Sequence, residues 1–127
     1  MENSNHSNVL IVGGGCAGIT VASRLHSLKS SLKISIIEPS DKSLYQAAWT
    51  LVGAGAYDKN STIKPMTEVM PKYVNWIKSY AESFSPEQNL VKTSAGEYTY
   101  DYLVVCPGLK INFDGIEGLK ESLGKNN

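Results

Sequence analysis

Gly13, Gly15 and Gly18 form a G-x-G-x-x-G pattern between two segments of different periodicity, and this junction constrains the fold more than any other feature. Before it, Asn8 to Val12 (NVLIV) is almost wholly apolar, as is a strand buried on both faces of a parallel sheet. After it, Ile19, Ala22, Leu25 and Leu28 recur every third residue, placing one apolar stripe on a helix that runs from Ala17 to about Lys29. Leu32 to Ile37 (LKISII) is a second apolar strand, closed by Glu38, Pro39 and Ser40. Strand, helix and strand make a βαβ unit of about 30 residues, with the right-handed crossover such units adopt.

The three glycines have different tasks. Gly13 permits the tight turn, Gly15 lets a pyrophosphate approach the backbone, and Gly18 lets the helix pack closely on the strand. Free N–H groups at the helix start, with the positive end of the helix dipole, then face the diphosphate. Glu38 falls 20 residues past Gly18, where a carboxylate can accept hydrogen bonds from both ribose hydroxyls of an adenosine and repels a 2′-phosphate. A turn without ligand explains the glycines alone, and a solvated carboxylate explains Glu38 alone. Their joint spacing points to a dinucleotide; NADP is disfavoured, and FAD and NAD both remain.

With 127 residues and 13.8 kDa the chain has room for one domain or part of a larger one, and a folded monomer of that mass exposes about 6,600 Å². Twelve basic and 12 acidic residues are interleaved without a block of one sign, so no basic stripe is available for nucleic acid. Residues 1–7 read as a disordered polar leader that matches neither a secretory signal nor a transit peptide. No apolar stretch reaches the roughly 20 residues a membrane helix needs. Cys16 reads as a small side chain beside the diphosphate and Cys106 as a core residue. They form no C-x-x-C, and His6 and His26 accompany no ligand cluster, so no metal site is expected.

Further along, the uncharged run Leu44 to Ala56 (LYQAAWTLVGAGA) is expected to lie beneath something large, and MTEVM, between Pro65 and Pro71, to make one or two helical turns. Val74 to Tyr80 (VNWIKSY) reads as a third strand. The runs AESFS, LVKT and YTY, separated by turns, suggest a small antiparallel meander inserted after it. Asp101 to Cys106 (DYLVVC) returns to a buried strand. The expected class is α/β: a Rossmann-like parallel sheet with a small antiparallel β-meander over residues 8–127.

VLIVGGGCAGIT, IIEPS, LYQAAWTLVGAGA, the Pro65 and Pro71 pair leading into VNWIK, and YDYLVVCPGLKINFDGIEGL together resemble the sulfide:quinone oxidoreductases, flavoproteins with two dinucleotide-binding domains. The resemblance runs from about residue 8 to residue 119 and looks like the mitochondrial type and its bacterial relatives. It implies an FAD-dependent enzyme that oxidises hydrogen sulfide and passes two electrons to a membrane quinone. FAD would lie on Gly13 to Gly18, near Cys16 and Ala17, with its ribose on Glu38; Gln46 would also contact it, and Ala81 would meet the adenine through its main chain. Gly108 would close the family's second flavin motif, which here reads Cys106, Pro107, Gly108, with no backbone N–H at Pro107.

The family's two redox cysteines match neither Cys16 nor Cys106, so the resemblance gives this chain no catalytic residue. It marks the chain as a truncated N-terminal FAD-binding segment, inactive alone and left with open sheet edges. For the whole enzyme it implies peripheral attachment on the cytoplasmic side of a bacterial membrane, or at the mitochondrial inner membrane. Two alternatives stand beside it: a segment of a type II NADH dehydrogenase-like flavoprotein, and a non-catalytic nucleotide-binding remnant.

Overall fold

The computed structural model describes residues 5–125. Strand β1 (His6–Val12) begins two residues before the apolar run suggests. The Ser7 hydroxyl meets that of Ser35 at 2.6 Å, and the Thr99 amide donates to the Asn5 carbonyl. Asn5 to Ser7 thus belong to the fold rather than to a disordered leader, because a ladder needs backbone groups and tolerates polar side chains that find partners; residues 1–4 lie outside the described residues. Helix α1 (Cys16–Leu28) follows directly from the glycine turn and sets Gly18 and Ala22 against the sheet, small enough for a close approach. Ile19, Val21 and Leu25 add apolar contact beside them.

Strand β2 (Ile34–Ile37) is wholly buried. Strand β3 (Lys42–Leu44) leads through a 3-10 turn at Gln46–Ala48 into helix α2 (Trp49–Gly53), and strand β4 (Ile63–Pro65) returns antiparallel to β3 as a separate two-stranded sheet. Helix α3 (Met66–Val69) is the turn expected between the two prolines and buries Met66. Strands β5 (Asn75–Ile77), β6 (Ala81–Ser85), β7 (Leu90–Thr93) and β8 (Gly96–Val105) follow, and a last turn of helix, α4 (Leu119–Ser122), lies near the end.

Six strands form one sheet in the order β5-β2-β1-β8-β7-β6. β5, β2, β1 and β8 run parallel, and β7 and β6 continue the sheet antiparallel. Side chains alternate between its faces as the pleat requires. Val9, Ile11, Ile34 and Ile36 meet Ala22, Met66 and Met70 on one face, while Leu10, Val12 and Ile37 meet Ile77, Val91 and Tyr100 on the other. The architecture is the Rossmann-like α/β class expected, with one correction. The antiparallel meander β6-β7-β8 follows β5 as expected, but YTY and DYLVV fall in one ten-residue strand, β8, which ends at Val105. Its Gly96–Thr99 part pairs with β7 and its Thr99–Val105 part with β1. No glycine or proline interrupts that run.

The expected cover over Leu44 to Ala56 is absent among the described residues. Tyr45, Trp49 and Leu51 are 57%, 42% and 49% exposed, and of α2 and its preceding 3-10 turn only Ala48 is buried. No residue of the five-residue helix α2 is buried. The chain exposes 9011 Å², well above the size-based expectation, with large apolar side chains such as Tyr80, Tyr102 and Leu109 also exposed.

Candidate functional site

β1 is flanked by β2, reached through α1, and on its other side by β8, so the chain leaves β1 in one direction and finds its second parallel neighbour in the other. The crevice outside the carboxyl ends of such strands is where open α/β sheets take ligands. At Gly13 the backbone has φ 106°, and a Cβ there would collide with the Cys106 carbonyl. At Gly18 a Cβ would collide with the Gly13 carbonyl and press on Ile11. At Gly15 a Cβ would meet nothing within 4 Å. Turn, open approach and close helix packing thus fall on Gly13, Gly15 and Gly18 respectively.

Gly14 is the residue the pattern hides, since the fingerprint leaves its position unspecified. A Cβ there would come within 2.7 Å of both Cβ and Cγ of Glu38. The contact is built for Glu38, whose carboxylate Oε2 accepts from the Gly14 amide at 2.8 Å and whose Oε1 accepts from the Ser40 amide at 2.7 Å. Its main chain is held as well: the Glu38 amide donates to the Ile77 carbonyl at 3.0 Å, and the Trp76 indole Nε1 donates to the Glu38 carbonyl at 2.8 Å. Each carboxylate oxygen keeps further acceptor capacity, so the group is fixed in place and still able to accept hydroxyl donors. Neither Gly14 nor Trp76 carries a sequence signal for this role.

α1 starts at Cys16, after Gly15 at the cap position and with no side chain capping its first turn, so its leading N–H groups are left without intrahelical partners beside the crevice. Gly13, Gly15, Cys16, Ala17, Glu38, Gln46 and Gly108 all line one cleft of about 690 Å³. Ala81 lies instead in an adjoining cleft of about 370 Å³ with Pro39, Tyr80 and Phe84, and Gly13, Glu38 and Pro107 border both. Gly18 lines neither and acts through packing. Both volumes lie in the range of small-molecule and cofactor pockets. Cys106 is half-buried: it touches the core, borders the larger cleft, and its Sγ lies 3.7 Å from the Gly13 carbonyl, while burial pushes its thiol pKa up from 9.0. Cys16 is exposed at the head of α1, and neither cysteine is in a disulfide. Among the described residues no cluster could hold a metal ion, and no helix is long and apolar enough to cross a membrane.

The family profile described as pyridine nucleotide-disulphide oxidoreductase matches residues 7–127. The chain belongs to that family. Within this oxidoreductase family it is 46% identical, over 96% of its own length, to the mitochondrial sulfide:quinone oxidoreductase of Dictyostelium discoideum, and spans 27% of that relative. It superposes on the sulfide:quinone oxidoreductase of Aquifex aeolicus with a TM-score of 0.76 at 33% identity, covering 93% of this chain and 27% of the other. A type II NADH:quinone oxidoreductase of Staphylococcus aureus is 28% identical over 92% of the chain and 30% of that relative. The resemblance to sulfide:quinone oxidoreductases carried by the motifs is thereby shown, and the chain spans about a quarter of the length of those relatives.

Proposed function

We propose that this chain holds FAD as the cofactor-anchoring part of an oxidoreductase of the sulfide:quinone type. The observation that carries the reading is the pairing of an open, uncapped helix start at Gly15 with a carboxylate pinned beside it at Glu38. Amides at Cys16 and Ala17 would bind the diphosphate, Glu38 the ribose hydroxyls, and the Ala81 cleft the adenine, while Gln46 and Gly108 would border the flavin end of the larger cleft. These residues fit the group: the space a Gly15 side chain would fill stands empty, and the two clefts join across Gly13 and Glu38. Bound there, FAD would supply two-electron carrier chemistry between hydrogen sulfide and quinone. The chain's own contribution is to bind and orient. The role for the whole protein, with peripheral association at a quinone-bearing membrane, is part of this reading and is supported by the similarity to sulfide:quinone oxidoreductases.

Titration of the purified chain with FAD, NAD and NADP, followed by tryptophan fluorescence and by visible flavin absorbance, tests this. FAD is expected to bind and to be displaced by ADP, and NADP to bind weakly, because the Glu38 carboxylate repels a 2′-phosphate. A folded chain that takes up no FAD overturns the reading.

A further inference from the structure

Gly14, Glu38, Ser40 and Lys42 form one hydrogen-bonded string, of which Glu38, Ser40 and Lys42 line the larger cleft. The Gly14 and Ser40 amides hold the two oxygens of Glu38. The Ser40 hydroxyl in turn donates to the Lys42 carbonyl at 2.8 Å and accepts from the Lys42 amide at 3.0 Å. Pairing of β3 with β4 fixes Lys42 from the other side, opposite Pro65. Lys42 is the one cationic side chain among the described residues lining this cleft, and its ammonium makes no hydrogen bond or ion pair with them. The neighbouring carboxylate is already engaged, since Asp41 pairs with Lys78.

The charge balance gives this lysine a task. Glu38 contributes a negative charge to the same cleft, and a dinucleotide adds one on each phosphate, so the helix dipole alone faces several anionic groups. An unpaired ammonium on a stiffened backbone can supply the missing positive charge. We propose that Lys42 is the cationic contact for the ligand's diphosphate and that Ser40 is the positioning residue that sets where it stands. This rests on the FAD reading above and goes beyond it by naming a residue that distinguishes phosphorylated from unphosphorylated ligands.

The test is a calorimetric titration of the 127-residue chain and its K42Q, K42R and S40A variants with FAD, ADP and adenosine at rising salt. K42Q is expected to weaken FAD and ADP about tenfold, the size of one charge-assisted contact, and to leave adenosine unchanged. Its affinity for ADP should also depend less steeply on salt than that of the parent chain. K42R should restore most of the affinity, and S40A should show a smaller loss of the same ADP-selective kind. Unchanged ADP binding in K42Q, or equal losses for ADP and adenosine, overturns the role of the lysine while FAD binding by the parent chain stands. A parent chain that binds neither FAD nor ADP overturns the FAD reading itself. Independently of any variant, parent affinity for ADP that is indifferent to salt overturns the proposal.

Discussion

The Glu38 carboxylate lies 2.8 Å from the Gly14 amide, so the acid that ends the second strand is tied to the glycine turn that ends the first. Both of its oxygens face N–H donors, at Gly14 and Ser40. Replacing Glu38 by glutamine keeps the shape and forces an amide NH2 toward one of those donors. We expect Glu38→Gln to destabilise the chain by about 1–3 kcal/mol, the cost of a charged hydrogen bond replaced by a mismatch. Urea unfolding measures this, and a variant as stable as the parent would show that the pairing does not matter.

The glycines separate folding from binding. Gly18→Ala drives a methyl group into the Gly13 carbonyl and should cost about 3 kcal/mol or prevent folding. Gly15→Ala meets no atom within 4 Å and its backbone is already in an extended region, so stability should stay within about 0.5 kcal/mol. FAD binding should nevertheless be lost, because the methyl occupies the approach to the helix start. Thermal melts paired with flavin titration distinguish the two, and a Gly15→Ala chain that still binds FAD as tightly as the parent would count against the diphosphate position.

Trp76→Phe removes the indole donor to the Glu38 carbonyl and retains most of the apolar contact with the core. A loss of about 1 kcal/mol follows for the hydrogen bond, together with weaker FAD binding as Glu38 loosens. A Kd that stays unchanged while stability falls would show that the carboxylate is held well enough by its other bonds.

Burial raises the Cys106 thiol pKa above 9.0, so the folded chain keeps this proton when the unfolded chain releases it. Its contribution to stability is therefore full below pH 9.0 and is lost as pH rises from there through the folded pKa. Cys106→Ala should flatten that alkaline decline. Alkylation at neutral pH should reach the exposed Cys16 well before Cys106, which mass spectrometry of tryptic peptides reads directly.

The βαβ unit is legible in the residues because its signals are local: an apolar run, a glycine turn and a three-residue stripe lie next to one another. Cys16, Ala17 and Glu38, singled out by the glycine spacing, line one cleft with Gln46 and Gly108, which only the family resemblance indicated. What the pattern leaves out depends on distant partners. Gly14 and Trp76 matter only because Glu38 stands between them. The continuity of β8 is hidden because YTY and DYLVVC differ in polarity, although one strand can change partner along its length. The outward placement of Trp49 and Leu51 departs from their apolar character, and no composition rule indicates what is packed above a segment.

The Gly13 turn fits against the Cys106 carbonyl, a contact between positions 93 residues apart. Roughly three quarters of the chain must be looped before this corner closes, and contacts of such separation carry a high closure entropy and slow kinetics. The cradle at the head of α1 is thus among the last places to assemble, and a ligand that grips it holds together two adjacent strands, β1 and β8, that lie far apart along the chain, and favours the finished state over its precursors.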